Sequence, residues 1–207
     1  MAIPFMAYTE SVSLRFCIRK RGPERMEKLT KSISTEDMAA ALLALTVGTQ
    51  DADGQRSLKE EMGEIVADGL TPDVVQIELA LLKFSVIYIA LSRYEDLRRL
   101  HGSKLDELLR LYVAQFKERT ASMDPIHEEI FQRLSEIRLA AYNKAFDAWF
   151  AAHNNGRGQE QTFTIGETFF HFCGVQDHNP INLFLIGHKF NTTLAAVNKE
   201  LRSCNLT

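Results

Sequence analysis

The stretch that decides the fold is PDVVQIELALLKFSVIYIALSRYEDLRRLH, residues Pro72 to His101. Thr71-Pro72-Asp73 places a capping hydroxyl, a proline and an acid where a helix would begin. Gly102 follows the last residue and is typical of a helix end. The middle of the stretch, from Leu79 to Leu91, is apolar nearly all round, which is typical of a helix at the centre of a bundle or in a membrane.

Charge and length favour the bundle over the membrane. Glu78 and Lys83 interrupt the apolar run, and a charge near a bilayer centre costs about 2.5 to 3.5 kcal/mol. The uninterrupted segment, residues 84–91, is too short to span a bilayer. We therefore predict that Pro72–His101 is a buried central helix, and we expect no membrane span.

Five further helices are predicted from their caps and from apolar residues at helical spacing. They pass through Met38, Leu42 and Leu45; from Ser57 to near Gly69; from Ser103 through Phe116; from Asp124-Pro125 through Trp149; and from Asn179-Pro180 through Leu201. The fold class is therefore mainly α: a bundle of five to six helices around Pro72–His101, with at most a small N-terminal β-element.

That β-element is predicted in the segment SVSLRFCIR, where Val12, Leu14, Phe16 and Ile18 alternate with polar or small residues. A single strand cannot satisfy its own backbone hydrogen bonds, so it needs a partner. The alternating segment Gln161–Ile165 is one candidate, and the same strand of a second chain is the other.

Composition bounds the broad class of the protein. The chain has 207 residues, of which 45% are hydrophobic and 25% charged, as expected for a globular domain. We divide it into an N-terminal arm, residues 1–22, and a single helical domain, residues 23–207. Three widely separated cysteines indicate reduced thiols and a cytoplasmic location rather than a disulfide framework.

Charge is distributed unevenly along the chain. The net charge is −3, which does not predict a nucleic-acid partner. Residues 15–31 hold seven bases and two acids, whereas residues 35–82 hold two bases and ten acids. This complementarity favours contact between the two regions within one molecule, with an arm that binds a partner as the alternative.

A group of potential metal ligands lies near the C-terminal end. His171 and Cys173 are two residues apart, His178 follows, and Glu167 precedes His171 by one helical turn. All four side chains can ligate zinc or iron. Their spacing matches no specific metal signature, and neither the paired Glu-x-x-His nor the His-Glu-x-x-His pattern occurs. We expect these donors not to converge on one point.

Aromatic residues are concentrated in the same region. Eight of the thirteen phenylalanines lie between Phe146 and Phe190. Phe169, Phe170 and Phe172 cannot all face one core, so something must cover part of their surface. The long helices, a partner subunit and an apolar ligand are the three alternatives.

No catalytic or nucleotide-binding motif occurs: Gly-x-Ser-x-Gly, Gly-x-Gly-x-x-Gly and the P-loop pattern are all absent. We therefore expect a non-catalytic helical protein that acts through protein–protein contact or self-association, with no cofactor. The candidate contact residues are Val12, Leu14, Phe16, Ile18, Phe169, Phe170 and Phe172. The alternative is a small-ligand or metal-binding protein, possibly an enzyme, that uses the C-terminal His/Cys/Phe segment.

Overall fold

The computed structural model describes residues 31–47, 69–121, 125–154, 158–176 and 179–207. Within these ranges the protein forms seven helices and one two-stranded sheet. The helices are α1 (Thr35–Val47), α2 (Pro72–Arg93), α3 (Glu95–His101), α4 (Ser103–Ala121), α5 (Pro125–Asn154), α6 (Gly158–Phe172) and α7 (Pro180–Ser203). The strands are β1 (Lys31–Ile33) and β2 (Cys204–Leu206). The mainly α fold class with a small β-element is confirmed.

Helix α2 is the core of the bundle. Its apolar residues from Leu79 to Leu91, except the half-buried Ala80 and Tyr88, are buried by α4 and α5 as well as by α7. The Phe84 ring stacks on Phe116 and Tyr112 of α4, with centroid distances of 4.2 and 5.7 Å. The prediction of a buried central helix is therefore correct for residues 72–93.

The helix does not continue to His101 as predicted. It ends at Arg93, Tyr94 adopts an extended conformation (φ −83°, ψ 101°), and α3 begins at Glu95. Neither glycine nor proline marks this break, so the local pattern gives no sign of it. The break lets α3 approach the end of α7, where Arg202 of α7 pairs with Asp96 at 3.1 Å.

The predicted helix starts that fall within the described residues are correct, although their caps differ. The predicted helix from Ser57 to near Gly69 begins outside the described residues. Ser34 Oγ accepts a hydrogen bond from the Asp37 amide, and Asn179 Oδ1 accepts one from the Ile181 amide. The Thr71 side chain makes no capping hydrogen bond. At the far end of α3, Gly102 has a φ of +57°, a conformation that favours glycine.

The prediction of a strand at Gln161–Ile165 is wrong, because these residues lie within α6. An alternation of five residues is too short to distinguish the two-residue period of a strand from the 3.6-residue period of a helix. Ile165, Phe169 and Cys173 recur every four residues and are all buried, which is the helical spacing. Gly166 lets α6 and α7 approach closely, since a Cβ on this residue would lie 2.6 Å from the Leu183 carbonyl oxygen of α7.

The sheet joins two distant parts of the chain. β1 and β2 are parallel, with Lys31 opposite Cys204 and Ile33 opposite Leu206. The Thr207 amide donates to the Ile33 carbonyl, and the Thr35 amide donates to the Thr207 carbonyl. The predicted strand at Val12–Ile18 lies outside the described residues.

Helices α2 and α7 run side by side in the same direction. Near their starts, a Cβ on Gly69 would lie 3.3 Å from Val175 Cγ1. Near the end of α7, the Leu201 carbonyl accepts a hydrogen bond from His101, the last residue of the short helix that follows α2. The first turns of both helices therefore lie at one end of the bundle, and the β1–β2 sheet lies at the other.

Among the described residues, α2 is the one helix long and apolar enough to cross a membrane, and 72% of its most apolar window is buried within the protein. The core helix of a globular protein meets the same two criteria. Length and composition alone are therefore weak evidence for a membrane span.

Candidate functional site

The most distinctive polar group in the core is the Glu78 carboxylate of α2. Its side chain is only 2% exposed, and both of its oxygens are bound. Arg138 Nε of α5 donates to Oε2 at 3.1 Å, and the Tyr142 hydroxyl, one turn further along α5, donates to Oε1 at 3.0 Å. A buried carboxylate needs this compensation because isolated burial of a charge is very costly.

Phe172 and Cys173, at the end of α6, pack beside the Glu78–Arg138–Tyr142 contacts. The Arg138 guanidinium lies over the Phe172 ring, 3.9 Å from its centroid, in cation–π geometry. The same ring meets Tyr142 edge-on, with centroids 6.0 Å apart. Cys173 follows Phe172 and is buried. We refer to these five residues, Glu78, Arg138, Tyr142, Phe172 and Cys173, as the Glu78 cluster.

Burial dominates the electrostatics of the Glu78 cluster. It raises the pKa of Glu78, against the opposing effects of the Arg138 charge and of the hydrogen bonds from Arg138 and Tyr142. Burial, followed by the Glu78 charge, also raises the pKa of Tyr142. For the same two reasons, the pKa of the Cys173 thiol rises to about 12.

These contacts connect α2 with α5 and with the end of α6. The Cys173 thiol stays protonated near neutral pH, whereas a nucleophile or a metal ligand must be a thiolate. Glu78 already uses both oxygens on side chains of the protein itself. We expect a buried ion pair of this kind to favour one register between α2 and α5.

Of the three predicted metal ligands that the structure describes, Cys173 lies apart from the other two. Glu167 and His171 lie on the exposed face of α6, whereas Cys173 points into the core. His178 lies outside the described residues. Within the described ranges, no group of three His, Cys, Asp or Glu side chains is placed to hold a metal ion.

The predicted contact aromatics lie mainly inside the bundle. Phe169 and Phe170 are fully buried and pack edge to face, with centroids 5.4 Å apart. Phe172 is half-buried beneath Arg138. The protein's own helices cover Phe169 and Phe170, which was the first of the three alternatives. These two rings are therefore not available to a partner in this conformation. The other four contact residues, Val12, Leu14, Phe16 and Ile18, lie outside the described ranges.

Sequence reasoning missed the roles of Arg138 and Tyr142. It also treated Glu78 only as an interruption of an apolar run. The available signal was the pattern itself, because a charge within a run destined for the core requires a buried partner of opposite sign. Arg138 lies 60 residues away, however, and no local pattern selects it from the other bases.

A different surface is exposed at the start of α7. Ile181 and Phe184, one turn apart, are 75% and 57% exposed. The Phe184 ring stacks on His188, with centroids 6.3 Å apart and planes 18° apart. We refer to Ile181, Phe184 and His188 as the α7 apolar face. Residues 180–188 contain no Lys, Arg, Asp or Glu.

The first turns of α2, at the same end of the bundle, also expose the apolar side chains of Val74 and Ile77. Exposed apolar residues therefore occur on α2 as well as on α7 at this end of the bundle. Comparison of the chain with protein-family models, curated proteins and solved structures finds no match.

Proposed function

We propose that this protein is a non-catalytic helical module that acts through protein–protein contact, as a homo-oligomer. The observation that carries the proposal is the exposure of Ile181 and Phe184 on the α7 apolar face. Grouped large apolar side chains on a surface are typical of interaction sites, since covering them removes apolar area from water.

A second copy of the chain is the partner that this face suits. In a twofold symmetric dimer the same surface meets itself, so any charge at its centre faces a like charge. Residues 180–188 carry no such charge. The protected state of the Glu78 cluster supports the non-catalytic part of the proposal, because Glu78 and Cys173 present no free carboxylate or thiolate to a substrate.

Light scattering on the full chain, with Phe184→Ser as the test variant, examines this proposal. Leu100→Ser is the matched control, because Leu100 is an exposed apolar residue of α3 at the opposite end of the bundle. We expect a mass above the monomer value of 23.5 kDa for the wild type and the control at micromolar concentration, and dissociation of Phe184→Ser. A monomeric wild type, or equal masses for the two variants, would contradict the proposal.

The second candidate is a small-ligand or metal-binding protein that uses the C-terminal His/Cys/Phe segment. The observation that favours it is the placement of Glu167 and His171 one turn apart on the exposed face of α6. Elemental analysis of the purified protein distinguishes the two candidates. One tightly bound metal ion per chain, lost in His171→Ala, would support this candidate.

A further inference from the structure

His101, the last residue of α3, forms a hydrogen bond with the last turn of α7. Its Nε2 lies 2.7 Å from the Leu201 carbonyl oxygen, and the residue is only 7% exposed. Leu201 belongs to the last turn of α7, where carbonyl groups lose their partners within the helix. The Cys204 thiol also approaches this oxygen, at 3.6 Å. His101 therefore acts as a side-chain cap on a helix that is distant in sequence.

This contact defines the protonation state of the imidazole. A carbonyl oxygen only accepts, so Nε2 must carry the proton, and the neutral ring then has an unprotonated Nδ1. Nδ1 is buried and has no hydrogen-bond partner among the described residues. Protonation would create an N–H group at a position where no described group accepts it, which is costly in the core. Accordingly, burial lowers the pKa of His101, while the Leu201 hydrogen bond opposes this effect.

The charged groups around His101 are paired at the surface. The Asp96–Arg202 pair connects α3 with α7, and the Arg98–Asp106 pair connects α3 with α4. The Lys104–Glu107 pair lies within α4. None of them shifts the pKa of His101, which is set by burial and by the Leu201 carbonyl. Glu200 of α7 and Lys31 of β1 act on the neighbouring Cys204, and neither shifts the pKa of His101. Burial raises the pKa of Tyr94 and of Cys204, so neither changes its protonation between pH 5 and 7.5.

The turn that His101 caps leads directly into the sheet. Cys204 begins β2 immediately after Ser203, and β2 pairs with β1, with Leu206 opposite Ile33. Just beyond β2, the Thr207 amide donates a hydrogen bond to the Ile33 carbonyl. β1 is the first described element of the chain, and α1 begins two residues after it. Release of the last turn of α7 would therefore also release the sheet.

We propose that His101 is a pH-sensitive latch, which holds the end of α7 and the β1–β2 sheet closed when neutral and releases them when protonated. The open state binds a proton with the ordinary histidine pKa of about 6.5, more tightly than the closed state. Acidification therefore favours opening. Between pH 7.5 and 5.0 the opening equilibrium shifts by up to about 30-fold. This proposal does not depend on the α7 apolar face.

Hydrogen exchange of the full-length protein at pH 7.5 and 5.0, corrected for intrinsic exchange rates, tests the latch. The readouts are peptides that cover residues 31–33 and 204–207, with residues 79–91 of α2 as the internal reference. The variants are His101→Gln, whose amide donates a hydrogen bond but does not titrate, and His101→Ala, which lacks the donor.

We expect acid to reduce protection of both strands in the wild type, by up to about 30-fold, and to leave the α2 peptide unchanged. The His101→Gln variant should stay protected at both pH values, and the His101→Ala variant should be unprotected at both. An equal response to acid in the wild type and His101→Gln, or no response in either, would overturn the proposal.

An NMR titration of the wild type gives a second test that requires no variant. The His101 ring should titrate together with the amide signals of Ile33 and Leu206, below pH 6.5. Titration of the ring without any change in those amides would also overturn the latch.

Discussion

The Tyr142 hydroxyl donates a hydrogen bond to Glu78 Oε1 at 3.0 Å, across 64 residues of sequence. Together with the Arg138–Glu78 ion pair, it ties one face of α5 to the first half of α2. The Arg138 side chain is in turn covered by Phe172. The three long-range contacts of this cluster therefore set how α5 and the end of α6 sit on the central helix.

Removal of Arg138 alone should be strongly destabilising. The Arg138→Met change leaves the Glu78 carboxylate buried without its counter-charge, at an expected cost of about 3–5 kcal/mol in the free energy of unfolding. The double variant Glu78→Leu/Arg138→Met should recover part of this loss, because no charge is left unpaired, although the buried Tyr142 hydroxyl loses its acceptor. Urea denaturation of the wild type and the variants measures both effects. A double variant as unstable as Arg138→Met would show that the ion pair is not the source of the loss.

Gly166 tests the close contact between α6 and α7. The Gly166→Ala change places a Cβ 2.6 Å from the Leu183 carbonyl oxygen, which is a backbone atom and cannot rotate away. We expect a loss of about 1–3 kcal/mol in thermal or urea unfolding, despite the higher helix propensity of alanine. Glu167→Ala, at the adjacent exposed position, is the control and should change stability by less than about 0.5 kcal/mol. Stabilisation by Gly166→Ala would refute the close contact.

Core truncations test the central position of α2. Leu82→Ala, Ile87→Ala and Leu91→Ala should each cost about 2–5 kcal/mol, since each side chain is buried. Leu201→Ala should fall in the same range, because Leu201 is fully buried although it lies near the end of α7. Denaturant melts of the four variants provide the comparison. Small, equal losses at all four positions would show that α2 is not the core.

Cys173 should resist alkylation in the folded protein. Its pKa of about 12, raised from 9.0, lowers the thiolate fraction at pH 8 by about a thousandfold. Peptide-resolved labelling with iodoacetamide should modify Cys173 slowly in native protein and rapidly in urea. Fast labelling under native conditions would mean that the thiol is exposed and able to ligate a metal or react.

Local patterns in the sequence were sufficient to predict most of the helices. The caps at Ser34 and Asn179, the proline at position 125 and Gly102 act within one turn, so the residues that decide these boundaries are adjacent in sequence. The apolar run of α2 likewise predicted its burial, because a helix without a polar face must be covered on every side.

Tertiary contacts decided the rest. The break at Tyr94 involves no helix-breaking residue, and it allows α3 to reach the end of α7. Residues 161–165 alternate like a strand, yet the packing of Ile165 and Gly166 against the core selects a helix. The sequence by itself therefore determined which segments are helical wherever the deciding residues are one turn apart. Only the tertiary structure decided that Glu78 meets Arg138 and that His101 caps Leu201, because these partners are 60 and 100 residues apart and folding alone brings them together.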